Sequence, residues 1–170
     1  MSYNSEEIFI NEVENCLKEN GCETWREVIP DSCENWEKPY RVDLIFHRND
    51  IGFIGVEGKN TNTLRSGGEI AKAVEQINKK YKNQTYFKGN IIENWAILVP
   101  SKTIWDFKED EISKRIKKEV IIFLRNFLNY MFNISLLDYS PEYKWRKAQI
   151  TLNAYTKKVI KIGGDSKYGG

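Results

Sequence analysis

Two strand-like runs, RVDLIF over residues 41–46 and IGFIGVEGK over residues 51–59, are joined by four polar residues, His47, Arg48, Asn49 and Asp50. Apolar runs of this length around a short polar turn predict a β-hairpin. The hairpin constrains the chain more than any other feature, because each run carries an acid. Asp43 lies in the first run and Glu57 near the end of the second, with thirteen residues between them. Side chains alternate along a strand, so Glu57 and Lys59 point to one side. Asp43 can face that same side across the pair.

Two carboxylates a few ångströms apart repel, and their proton affinities rise unless a cation sits between them. Mg²⁺ suits such a pair, because it takes oxygen ligands and keeps several waters, so one or two carboxylates suffice. Mn²⁺ is the expected substitute. The carbonyl of Gly58 could add a ligand, since glycine leaves the approach open. A cation held there makes bound water more acidic and polarises a phosphoryl oxygen. Lys59 would contact the attacking water or the substrate phosphate, where charge grows in the transition state. Acid-x-Lys on its own carries little weight: Asp106-Phe107-Lys108, Glu142-Tyr143-Lys144 and Asp165-Ser166-Lys167 have the same form. Only Glu57-Gly58-Lys59 ends an apolar strand that follows an Asp-bearing one. The competing reading is a surface ion pair at a strand end, worth little to stability.

The rest of the chain is organised around this hairpin. Ser5–Asn20 has a helical stripe of Phe9, Val13, Cys16 and Leu17, with Ser5 placed to cap it and Gly21 placed to stop it. Thr24–Ile29 is strand-like. Gly52 and Gly55 point to a bulge or a close backbone approach in the third strand. A polar loop over 60–68 leads to a helix over Glu69–Tyr81, with Ile70, Val74, Ile77 and Tyr81 on one face. NWAILV over 94–99 reads as a central strand. Asp110–Met131 reads as a long amphipathic helix through Ile112, Ile116, Val120, Phe123 and Phe127, and Gln149–Tyr155 as a further strand. The expected architecture is a single α/β domain with a mixed sheet. Its core covers about 5–99, followed by a helical, basic extension over 100–162 and a loose tail over 163–170.

Composition narrows the function classes. A length of 170 residues with 41% hydrophobic and 29% charged content is that of one globular domain. Cys16, Cys22 and Cys33 form no CxxC pair and His47 is the only histidine, so neither zinc nor an iron–sulfur cluster is expected. Free thiols, a polar acidic start and no apolar run near membrane length lead to the expectation of a cytoplasmic protein without a membrane span. Net charge is +2, but residues 1–40 hold ten acids against three bases and residues 141–170 seven bases against two acids. That polarity suits contact with a polyanion through one face, or is plain solvated surface.

Residues 5–99 resemble the PD-(D/E)xK nuclease superfamily, the restriction-endonuclease-like fold. The resemblance rests on the order helix, three strands, helix, strand, with Asp43 on the second strand and Glu57-Gly58-Lys59 on the third. Val42 stands where many members have proline. The resemblance implies a mixed central sheet flanked by helices and metal-dependent hydrolysis of phosphodiester bonds, usually in DNA. Asp43 and Glu57 would then hold the metal and Lys59 would assist the water. A glutamate on the first helix often reaches such a metal; Glu6 is favoured over Glu12. Some relatives place a Gln, followed four residues later by a Tyr, on the second helix. Here Tyr81 lies five residues after Gln76, which breaks that spacing, while Gln76 stays a candidate for orienting the lysine or a phosphate.

DNA is the expected partner. Arg65, Lys79, Lys80, Lys82, Lys88, Lys144, Arg146, Lys147, Lys157 and Lys158 offer phosphate contacts. Tyr143 and Trp145 could stack on an exposed base or belong to the core or a dimer contact. A domain with one site cuts one strand, so a homodimer is expected if both strands are cut. A junction resolvase, a restriction-type enzyme and a mobile-element or viral nuclease are not told apart. The alternative function is a catalytically silent module of the same fold that binds nucleic acid or protein.

Overall fold

A computed structural model describes residues 6–58, 67–82, 84–100, 122–123, 125–153 and 159–164. The chain forms a mixed α/β structure around a seven-stranded sheet. The strands are β1 (Glu23–Val28), β2 (Val42–Arg48), β3 (Gly52–Gly58), β6 (Asn94–Pro100), β7 (Ile134–Ser140), β8 (Gln149–Asn153) and β9 (Val159–Gly163), in that spatial order. A small separate hairpin holds β4 (Tyr86–Phe87) and β5 (Asn90–Ile91). The strands β3, β6 and β7 run parallel at the centre, and the pairs on either side are antiparallel.

The helix α1 (Glu6–Glu19) covers one face. Phe9, Ile10, Val13, Cys16 and Leu17 recur at helical spacing and are all buried against Leu44, Phe46, Val56, Leu98 and Leu137. It stops at Gly21, whose φ of 82° suits glycine. The Cys22 N–H bonds to the Leu17 carbonyl and the Gly21 N–H to the Lys18 carbonyl, which closes the helix end in a Schellman motif. The expected cap, Ser5, lies outside the described residues.

The helix α2 (Gly67–Gln76), a π-helical turn (Ile77–Tyr81) and a helix described over 122–123 and 125–132, here α3, cover the other face. Ile70, Ala73, Ile77, Tyr81 and Leu128 pack there on Ile45, Trp95, Ile97, Ile134 and Leu136. The strand β6 is buried from Trp95 to Leu98 because it has helices on both sides. The expected helix over 110–131 is described only in its last part, α3; residues 101–121 lie outside the described set.

Two expectations are revised. The extension after residue 100 is not only helical: it adds β7, β8 and β9 to the same sheet, so sheet and core continue well past residue 99. The described residues also reach Gly164, and β9 takes in Gly163, the first residue of the segment expected to be a loose tail. Among the described residues, no helix is long and apolar enough to cross a membrane.

Candidate active site

The hairpin of β2 and β3 turns tightly: the Ile51 N–H bonds to the Arg48 carbonyl at 2.9 Å, and Gly52 takes a φ of 84°. This turn sets the register, pairing Phe46 with Ile54 and Leu44 with Val56. One further step along that register puts Asp43 opposite Glu57. The two acids also belong to one face. Glu57 alternates with Gly55, which lies against Trp95, and Asp43 alternates with Ile45, which packs in the α2-side core.

Each carboxylate has an internal partner. Asp43 Oδ2 accepts the Gly58 N–H at 2.9 Å. This fixes the aspartate against the end of β3 and leaves Oδ1 as the other oxygen of that group. Glu57 is 4% exposed, and its Oε2 lies 3.3 Å from the Tyr81 hydroxyl. Gly58 has little room on its other side: a Cβ there would come within 2.8 Å of Ile10 Cδ1 and 3.8 Å of Asp43 Oδ2. Glycine therefore lets α1 close over the strand end that carries the acids.

Tyr81 reaches Glu57 through a stack built on Gly55. A Cβ at Gly55 would meet the Trp95 ring at 2.5 Å, so the indole lies directly on the backbone of β3. Trp95 is held in turn by its Nε1–H to the Ile92 carbonyl at 2.9 Å. The Tyr81 ring stacks on Trp95 with centroids 4.9 Å apart and an interplanar angle of 24°. This platform delivers the phenol to Glu57 Oε2 and, at 3.2 Å, to the Arg41 carbonyl. One proton serves these two acceptors. Burial, then the charges of Glu57 and Asp43, push the Tyr81 phenol well above its ordinary range. Tyr81 therefore remains a donor.

Gln76 completes the arrangement, and the five-residue spacing does not separate it from Tyr81. In an α-helix of about 3.6 residues per turn, residue i+5 points away from residue i. The turn here is π-helical, closed by the Lys82 N–H to the Ile77 carbonyl at 2.9 Å. A π-turn spans i to i+5 and so absorbs one extra residue. Gln76 Nε2 then donates to the Tyr81 hydroxyl at 2.5 Å. Gln76, Tyr81 and Glu57 form one hydrogen-bonded line. Gln76 touches the phenol; Lys59, which it was expected to orient, lies outside the described residues.

The remaining candidates divide. Lys59 and Arg65 lie outside the described residues, as do Lys157, Lys158 and the side chain of Glu6. Glu12 is engaged on the α1 side, where the Tyr139 hydroxyl donates to its Oε2 at 3.2 Å. Lys79 pairs with Glu75 at 2.6 Å on an exposed helix surface, and Lys80 is exposed. Lys82 is drawn away from a phosphate role, since its ammonium donates to the Phe132 carbonyl. Lys88 lies over the Trp25 ring, 4.4 Å from its centroid. Lys144 and Lys147 are exposed and Arg146 is half-buried in the turn after β7. That turn lies beyond the carboxyl end of a strand parallel to β3, hence at the same end of the sheet as Glu57. Tyr143 and Trp145 in it are 60% and 62% exposed, so neither belongs to the core.

A third acid at this end is not among the residues singled out from the sequence. Asp138 on β7 is buried and alternates with Leu136 on the α2 side of the sheet. Arg125 Nη2 meets its Oδ2 at 3.2 Å. Burial raises the Asp138 carboxyl above its ordinary range, and Arg125 opposes that rise. The signal was an acid inside the apolar run ISLLDYS, the same kind of signal that singled out RVDLIF.

Among the described residues no group of three or more His, Cys, Asp or Glu gathers to hold a metal. Asp43 and Glu57 fit a hard cation that keeps most of its waters better than one needing a closed cage. The two carboxylates, together with the Gly58 carbonyl, are the groups that could serve as ligands. No protein-family model, curated protein or solved structure matches the chain.

Proposed function

We propose that the protein is a divalent-metal-dependent nuclease that hydrolyses phosphodiester bonds in DNA, with the restriction-endonuclease-like fold. The observation that carries this reading is the pairing of Asp43 and Glu57 across one hairpin, on one face, with Gly58 N–H and Tyr81 O–H fixing one oxygen of each. Two carboxylates so placed in a nearly buried setting repel each other, which costs stability unless a cation offsets it. A structural role alone gives no reason for the pair.

Asp43 and Glu57 would hold Mg²⁺ or Mn²⁺, and the ion would supply Lewis acidity toward the phosphate and acidify the attacking water. The protein's own contribution is positional. Gly58 holds the aspartate. Tyr81, kept protonated, donates to the glutamate. Gln76 keeps the phenol turned toward Glu57. Lys59, next after Gly58 in sequence, is assigned the stabilisation of charge on the phosphate or the water. Lys144, Arg146 and Lys147, beyond the same end of the sheet, are assigned backbone phosphates, and Tyr143 and Trp145 an unstacked base.

The test incubates the protein with supercoiled, linear, single-stranded and branched DNA in Mg²⁺, Mn²⁺ or EDTA, beside Asp43→Ala and Lys59→Ala. Cleavage should need the metal and fall at least about a hundredfold in either variant. Cleavage at an unchanged rate in either variant refutes the assignment. Binding without cleavage in every metal would instead favour a silent nucleic-acid-binding module.

A further inference from the structure

The helix α3 has two apolar sides. Leu128 is 1% exposed and packs into the core, as a one-sided helix would require. On the outer side, Phe123 is 69% exposed, Tyr130 71%, Met131 65%, Ile122 46% and Phe127 41%. Phe123 and Phe127 stack with centroids 6.1 Å apart, and Phe127 meets Phe132 edge-on at 5.6 Å. The outer residues are therefore an ordered apolar strip. An exposed apolar strip of this kind commonly marks an interaction surface.

Area, charge and shape point to what covers it. At about 200 Å² per aromatic side chain, the strip exposes roughly 550 Å², near the upper limit for a single patch on a typical monomer. Beside it lies an apolar groove of about 530 Å³ between α2 and α3, lined among others by Ile70, Val74, Phe127 and Phe132. Strip and groove together match the roughly 600 Å² per partner at the low end of specific interfaces. Among the described residues of α3 the one charged side chain is Arg125, which is turned inward to Asp138. Over those described residues, two copies of the outer face can meet without like-charge repulsion. Phe127 belongs to both strip and groove, so a strip residue of one copy can enter the groove of the other and be answered in kind. That is the self-complementary pattern of a two-fold dimer.

We infer that the outer face of α3, with the adjoining groove, is a homodimer interface whose occupant is a second copy of this chain. The interface does not depend on the nuclease reading, and cleavage is not its readout. The test is sedimentation equilibrium of the full chain from about 1 to 100 µM, the range in which interfaces of modest size dissociate. The wild-type chain should show a monomer–dimer equilibrium. Phe123→Glu and Met131→Glu, both at mostly exposed positions, should weaken it about tenfold or more with unchanged circular dichroism and melting. Phe123→Ser, which adds no charge, should weaken it in the same direction and serves if a glutamate variant fails to fold. A wild-type chain that stays monomeric throughout overturns the inference. So does a dimer indifferent to the folded variants, or a monomer that co-sediments with phosphatidylglycerol vesicles.

Discussion

Replacing Tyr81 with phenylalanine removes one oxygen and leaves the ring stacked on Trp95, so no cavity opens. What is lost is the donor to Glu57 Oε2 and the acceptor of the Gln76 amide. A hydrogen bond to a charged group contributes about 1.5–3 kcal/mol, and 3.3 Å is long for an O–H donor, so the expected loss is about 1–2 kcal/mol. For a domain of this size that lowers the melting temperature by about 3–6 °C. The pH dependence isolates the phenol. Its proton is held more tightly in the folded chain, through burial first and then the charges of Glu57 and Asp43. Unfolded, it ionises near pH 10. Between that pH and the higher folded value the unfolded chain binds fewer protons, so wild-type stability falls as pH rises, by up to about 1.4 kcal/mol per unit from this group. The phenylalanine variant escapes that fall, while the other titrating groups are common to both proteins. The stability gap should be full from about pH 7 to 9 and close above about pH 10. Urea unfolding of both proteins across this range measures it. A variant within about 0.5 kcal/mol of wild type at pH 8, or a gap that does not narrow in alkali, refutes the buried donor role.

Three further perturbations have definite outcomes. Gly55→Ala drives a methyl into the Trp95 ring and should cost about 1–3 kcal/mol, read by thermal melting; a neutral substitution would show that the indole does not lie on β3. Arg125→Met leaves the buried Asp138 carboxylate without its cation and should cost about 2–3 kcal/mol at pH 8. The loss should shrink as pH falls and the raised Asp138 carboxyl takes up a proton, so a penalty that grows in acid would contradict the pairing. Burial pushes the Cys16 thiol up to about 11, and all three cysteines are buried. Native protein at pH 8 should therefore react with a thiol reagent far more slowly than denatured protein, and rapid native labelling would show that α1 opens.

The hairpin was legible in the sequence because its geometry is local. A short polar turn sets the register, side chains alternate, and an acid two residues into one run comes opposite an acid near the end of the other. The shared face of Asp43 and Glu57 follows from counting, and α1 follows in the same way from a buried stripe and a glycine stop. Tyr81 was hidden by the same counting, since a four-residue helical period assumes an unbroken α-helix. The π-turn that brings Gln76 to Tyr81 is stabilised by what Tyr81 finds at its far end: a tryptophan seated on a glycine and a buried carboxylate. Those partners come from β3 and β6, separated from the turn in sequence. The strands β7 and β9 were likewise illegible, because a short apolar run becomes a strand only when an open sheet edge accepts its hydrogen bonds. Sequence alone determined which acids face each other, a matter of alternation over a few residues. Tertiary structure decided what holds them, because burial and pairing between distant segments choose the donors that a buried carboxylate requires.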